Sequence, residues 1–280
     1  MSNAVYEIIT NQILEELKKG TIPWHQPWNS DYPKNLITKK EYRGINVFLL
    51  GCRKFSSPYW LSYKQAASLG GNVKKGEKST IVVFWKQVQI TEKIDNVEKP
   101  KTIPFLRYYR IFNTEQCEGI EERIPISEVN PDFKPLIECE KTIKNMQNKP
   151  DIYHNESRAY YNPTDDFVNM PKPETFSKEE YYYSVMFHEL GHSTGHKNRL
   201  ARKDFDHAAF GSQVYSKEEL CAEMTAAFLC GHHKIELQTI ENSAAYIKSW
   251  LGKLKDDIKI VVIAAAQAQK ASDYILNKIV

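Results

Sequence analysis

Helical spacing appears first along the chain. Val5, Ile8, Ile9, Ile13, Leu14 and Leu17 recur at intervals that line one face of an α-helix, and Gly20 offers it a C-terminal stop. Ile22-Pro23-Trp24-His25-Gln26-Pro27-Trp28 breaks that period, because two prolines forbid helix and hold two indoles in an extended or turned segment. Residues 59–67 read as the start of a short helix with Ser62 as its cap. The β-branched and aromatic content of residues 79–90 and 103–113 predicts two strands, with the charged residues 92–101 as the loop between them. Leu136, Ile137, Ile143 and Met146 restore helical spacing. Residues 151–161 and 166–170 then form short strand-like runs about an Asn162-Pro163-Thr164-Asp165 turn, and residues 167–170 are the candidate strand beside a substrate cleft. Two more helices are predicted over residues 181–194, with Ser177 and Glu180 as a capping box, and from a Ser216 cap through Leu229. Residues 240–251 and 253–277 close the chain as helices, with Trp250 turned inward.

This order predicts an α+β fold in two domains, each with its own core. A front domain spans residues 1–123 and a back domain residues 135–280, joined by a linker at 124–134 where Pro125 and Pro131 stand among charged residues. No apolar run approaches bilayer length, and the first residues lack a basic and apolar leader pattern, so the sequence predicts no membrane association and a cytoplasmic location. Five widely spaced cysteines with no C-x-x-C pair read as free thiols in a reducing compartment.

Charge divides the chain. Residues 1–111 hold 18 Lys and Arg against 9 Asp and Glu, a local +9 that leaves −6 for the remainder of a chain whose net charge is +3. Four of the five tryptophans lie in the basic front, and cations interleaved with aromatic rings suit a single-stranded nucleic acid. Trp24, Trp28, Arg43, Trp60, Lys64, Lys74, Lys75, Lys78 and Trp85 are the candidate strand contacts. The turn around Lys74, Lys75 and Gly76 is not a Walker loop, since Gly and Lys stand in the reverse order. Composition serves equally well for tryptophans that are core beneath a solvated basic surface.

The acidic back carries His188-Glu189-Leu190-Gly191-His192, an H-E-x-x-H sequence. On a helix, residues four apart share one face, so His188 and His192 can present ring nitrogens to one Zn2+ ion, with Glu189 beside them as general base. A catalytic zinc takes three protein ligands, so a third is required. Gly195 fits the metzincin pattern, but its third histidine would fall at Asn198; His196 stands two residues too early. The downstream helix offers Glu219 as third ligand and Glu223, one turn later, as acceptor from a ligand histidine's second nitrogen. The two roles can be exchanged, and Glu218 is a third choice. His196, His207 and Tyr215 are alternative oxyanion donors.

Whole stretches of text carry further information. IPWHQPW, YRGIN, SPYWLSYKQAASLGGNVKKGEK and RYYRIFNTEQCEGI, in this order, resemble the N-terminal region of the ArdC family of antirestriction proteins of conjugative plasmids and other mobile elements. FHELGHSTGHKNRLARKDF, YSKEELCAEMTAAFLC and the closing helical text resemble that family's C-terminal zincin-like metallopeptidase domain. The resemblance implies sequence-tolerant single-stranded-DNA binding in front and a zinc-dependent peptidase, with an unknown protein substrate, behind. The other reading is a non-enzymatic protein that shields single-stranded DNA and uses metal only to hold its fold. Glu189 separates the two, since a structural zinc needs no general base and takes four protein ligands.

Overall fold

The computed structural model describes residues 2–25, 32–53, 55–94, 97–125, 135–202, 213–235 and 244–278. Helix α1 (Ser2–Lys18) buries Val5, Ile9, Ile13, Leu14 and Leu17, the stripe set by its sequence period. After a 3₁₀ turn at Pro23–His25 come β1 (Lys34–Asn35), α2 (Ile45–Gly51), β2 (Tyr59–Leu61), α3 (Tyr63–Ser68), β3 (Asn72–Val73), β4 (Thr80–Ile94), β5 (Val97–Asn113) and β6 (Cys117–Glu118). Ser62 does cap α3, in a reciprocal box with Gln65. The stretch before it, however, is strand β2 rather than helix.

β4 and β5 pair in register from Thr80↔Ile111 to Ile94↔Val97. Residues 92–94 and 97–101, expected to form a loop, are therefore the outer rungs of one long hairpin. The main sheet has the order β1-β2-β5-β4, which leaves β4 at an edge. Asn46 of α2 covers that edge locally: its side chain donates to Val83 O and accepts from Val83 N, both at 2.7 Å.

The back contains α4 (Pro135–Asn145), β7 (Asp151–Tyr153), β8 (Tyr160–Asn162), β9 (Phe167–Asn169), α5 (Glu179–Ser193), α6 (Gln213–His233), α7 (Ala244–Asp256) and α8 (Ile260–Ile275). Its sheet order is β7-β9-β8. β9, expected to border the cleft, is the central strand with both edges paired; β8 holds the edge position. Buried Asn169 fixes the β7–β8 connection by accepting from Asn155 N at 3.1 Å and donating to Glu156 O at 3.3 Å.

The two halves do not keep separate cores. One buried cluster joins α1 and α2, with Trp24, Val83 and Leu106, to Leu220, Met224 and Phe228 of α6, Trp250 of α7 and Val261 and Ala265 of α8. A second cluster, of Met186, Phe187, Leu190, Ala226, Leu229 and Ile275, lies wholly in the back. α6 thus has apolar neighbours on two sides. Residues 126–134, most of the expected linker, lie outside the described residues. Among the described residues, no helix is long and apolar enough to cross a membrane.

Candidate metal centre

α5 turns Tyr182, Met186, Phe187 and Leu190 into the core and carries the H-E-x-x-H residues on an adjoining face. The expected Ser177 box is not used: Lys178 occupies the N-cap with extended backbone and makes no side-chain cap bond. The other end of α5 is closely held. Arg202 donates to Gly191 O at 2.9 Å and to His192 O at 3.3 Å, which satisfies carbonyls that a helix terminus leaves open and puts a cation at the negative end of its dipole.

α6 begins at Gln213, three residues before the predicted cap, and packs against α5. The contact depends on Gly191. A Cβ there would stand 3.2 Å from both Ala222 Cα and Thr225 Cβ. This approach brings Glu219 to the histidines. Its carboxylate oxygens lie 3.7 Å from His188 Nε2 and 3.5 Å from His192 Nε2, and the two Nε2 atoms are 3.1 Å apart. Four ligands at 2.0–2.2 Å around a tetrahedral Zn2+ stand roughly 3.3 Å from one another. Two ring nitrogens and a carboxylate meeting at that spacing fit a divalent cation, and among the described residues they are the one His/Cys/Asp/Glu group with metal-ligand convergence.

The surrounding charge points the same way. Burial pulls the His192 pKa down, but the Glu218 hydrogen bond and the charges of Glu219 and Glu189 outweigh it and raise the ring to about 9. A point that draws a proton so strongly favours a metal cation as well. Glu189 is buried, and desolvation raises it to about 7; His192 opposes the shift, Glu219 adds to it, and a hydrogen bond from the Tyr161 backbone on β8 opposes it. A carboxylate near neutrality is suited to both accepting and returning a proton.

Glu218, the third choice for the metal, has other partners. Its Oε1 lies 3.5 Å from His192 Nδ1, and Arg202 Nε donates to Oε2 at 3.0 Å while a second guanidinium nitrogen bonds Oε1. Sequence reading gave the position beside a ligand imidazole to Glu223. Glu223 accepts from the indole N–H of Trp24 at 2.7 Å, and the Glu218 carboxylate stands beside His192 Nδ1. Arg202 and Tyr161 were missed, since no local spacing joins them to the motif. His196 is buried, with Nδ1 accepting from Asn198 N at 3.3 Å and lying 3.6 Å from Asp166, and Asp166 is itself paired with Arg199. His207 and the Tyr215 side chain lie outside the described residues.

The candidate strand contacts separate by exposure. Trp24 and Trp60 are core residues at 0% and 2% exposure, leaving no ring face on which a base can stack. Arg43 reaches across to α8 and pairs with buried Asp273. Lys74 donates to Glu115 O at 2.9 Å but stays exposed, as do Lys64, Lys75 and Lys78. Trp85 is half exposed and Trp28 lies outside the described residues.

Comparison with known proteins accounts for both halves. Residues 138–267 match the family of zincin-like metallopeptidases, and residues 3–112 match the N-terminal domain of the anti-restriction factor ArdC. The crystal structure of the antirestriction protein ArdC from plasmid R388, metal-free, is 35% identical and superposes with a TM-score of 0.76 over 98% of this chain and 97% of that one. A Mn(II)-bound structure of that protein gives 0.75 over the same shares. The uncharacterized protein y4eC of Sinorhizobium fredii is 32% identical over 96% of this chain and 91% of its own length. DNA primase TraC of Escherichia coli is 35% identical over 97% of this chain, which spans only 20% of that protein's length. With a metallopeptidase-type site behind and the ArdC N-terminal region in front, the chain belongs to the ArdC family of antirestriction proteins.

Proposed function

We propose that this protein is a zinc-dependent peptidase whose front half holds single-stranded DNA, so that hydrolysis is directed to a protein found on or near the strand. The observation that carries the peptidase reading is the meeting of His188 Nε2, His192 Nε2 and the Glu219 carboxylate beside the buried carboxylate of Glu189. A divalent cation bound there supplies a Lewis acid for the scissile carbonyl. Glu189 takes a proton from the attacking water and returns it to the leaving amine. Glu218 orients His192 through Nδ1, and Arg202 holds Glu218 in place. β8 is an edge strand next to Glu189, suited to pairing with an extended peptide. The engagement of Glu218 by His192 and Arg202 supports three protein donors and an open position rather than a closed structural site. The Mn(II)-bound relative makes manganese the cation to compare with zinc.

Glu189→Gln is expected to bind Zn2+ as tightly as the parent chain and to lose peptide hydrolysis by at least about a hundredfold. Glu219→Ala is expected to lose the metal. Metal titration checks both variants, and comparison of the proteins cut in cells expressing parent and Glu189→Gln chains identifies the substrate. Undiminished cleavage by Glu189→Gln would overturn the assignment of the base.

A further inference from the structure

The β4–β5 hairpin presents aromatic rings where a soluble sheet normally presents polar groups. Phe84, Trp85, Tyr108 and Tyr109 are each between 43% and 50% exposed. The register sorts them by face. Phe84 stands opposite Arg107 and Val82 opposite Tyr109, and since strand side chains alternate, Phe84, Arg107, Tyr109 and Lys86 share one face. On that face Phe84 and Tyr109 meet edge to face with ring centroids 5.5 Å apart, and Phe84 lies 6.3 Å from Tyr42. The inner end is anchored by buried Val82, packed with Tyr42, Leu50, Trp60 and Ile111, so the exposed pair stands on a rigid base.

Charge defines the occupant. The seven rungs from Thr80↔Ile111 to Lys86↔Phe105 contain Lys86, Arg107 and Arg110 and no carboxylate, within the half of the chain that carries the positive excess. Aromatic faces stack on unpaired bases, which a duplex hides, while adjacent cations take the phosphates. Edge pairing with a second copy is opposed by Asn46, which already occupies both backbone groups of Val83.

We propose that Phe84 and Tyr109, flanked by Arg107 and Lys86, form the base-stacking platform on which this protein holds single-stranded DNA. The assignment rests on the proposed strand binding and moves it from the buried tryptophans to the hairpin. Aromatic and cationic contributions differ in their response to salt. Loss of stacking weakens binding without changing the counterions released, whereas loss of one phosphate contact lowers the slope of log K against log salt by about 0.7.

The test uses the full chain and a fluorescein-labelled oligothymidylate, with anisotropy followed over a salt series. Phe84→Ala with Tyr109→Ala is expected to weaken binding roughly 5- to 150-fold at unchanged slope. Phe84→Leu with Tyr109→Leu, which keeps apolar surface, is expected to do the same with the parent's thermal transition. Arg107→Gln is expected to weaken binding and reduce the slope. Parent-like affinity in both double variants would overturn the platform while leaving strand binding in place. Absence of salt-dependent binding in the parent chain would overturn strand binding itself. A parent dimer in sedimentation that both double variants abolish at unchanged DNA affinity would assign the face to a second copy and also overturn the platform.

Discussion

His233, at the end of α6, stacks its imidazole on Phe187 of α5 with centroids 5.5 Å apart, and its Nε2 is buried with no hydrogen-bond partner in the structure. Burial lowers its pKa from 6.5 to about 4; His232 and Lys278 push it the same way, against Glu138. The unfolded chain therefore binds the proton first as pH falls, so this residue's contribution to stability is complete above about 6.5 and is lost down to about 4. His233→Phe keeps the stack and removes the buried nitrogen. Urea unfolding at pH 7 and pH 5 should show the parent losing about 2 kcal/mol more than the variant between the two; parallel losses would contradict this. Residue chemistry was legible from sequence where it was local. His188, Glu189 and His192 fall within about one helical turn, and Ser62 caps another. Glu218 and Glu223 were not separable, because their partners, Arg202 and Trp24, reach them through tertiary packing that no helical period encodes.

At the scale of elements, the metal geometry is the distance between two helices. His188 and His192 ride on α5 and Glu219 on α6, and at Gly191 the two helices leave no room for a Cβ. Gly191→Ala requires Ala222 or Thr225 to yield by a few tenths of an ångström. It is expected to cost about 1–3 kcal/mol and to weaken metal binding together with stability. Thermal unfolding and chelator competition measure the two, and unchanged metal affinity in a destabilised variant would show that the helix contact does not set the site. The sequence marked both helices but misplaced both starts, since Lys178 rather than Ser177 is the N-cap of α5 and α6 begins at Gln213, before Ser216. It misassigned the edge strand of the β7-β9-β8 sheet, since strand order is decided by pairing between segments. Of the exposed hairpin aromatics only Trp85 was singled out; Phe84, Tyr108 and Tyr109 escaped notice for a related reason: Val82-Val83-Phe84-Trp85 has the composition of a buried strand, and only the cover on each face distinguishes them.

For the molecule as a whole, basic front and acidic back were visible in composition, but their fusion was not. α6 is held from the front by the Trp24 indole on Glu223, by Phe48 stacked on Phe228 at 4.9 Å and 12°, and by the Tyr32 hydroxyl donating to Phe228 O at 2.6 Å. Arg43 ties α8 to the same half through Asp273, and Thr10 donates to Ile258 O at 2.7 Å. A fragment of residues 135–280 would expose the side of α6 that carries Leu220, Met224 and Phe228, together with Val261 and Ala265 of α8. That surface is a core cut open, and the fragment is expected to lack a cooperative thermal transition while the full chain unfolds in one. Trp24→Phe probes the same seam in the intact chain. It retains an aromatic ring against Trp250, now 5.9 Å away at 85°, but removes the N–H on Glu223 together with part of a fully buried indole, at an expected cost of at least about 2 kcal/mol. A fragment that melts sharply at the parent's temperature would mean that the shared cluster adds little. Loss of its transition would mean that the helix carrying Glu219 is held in place by the front half of the chain.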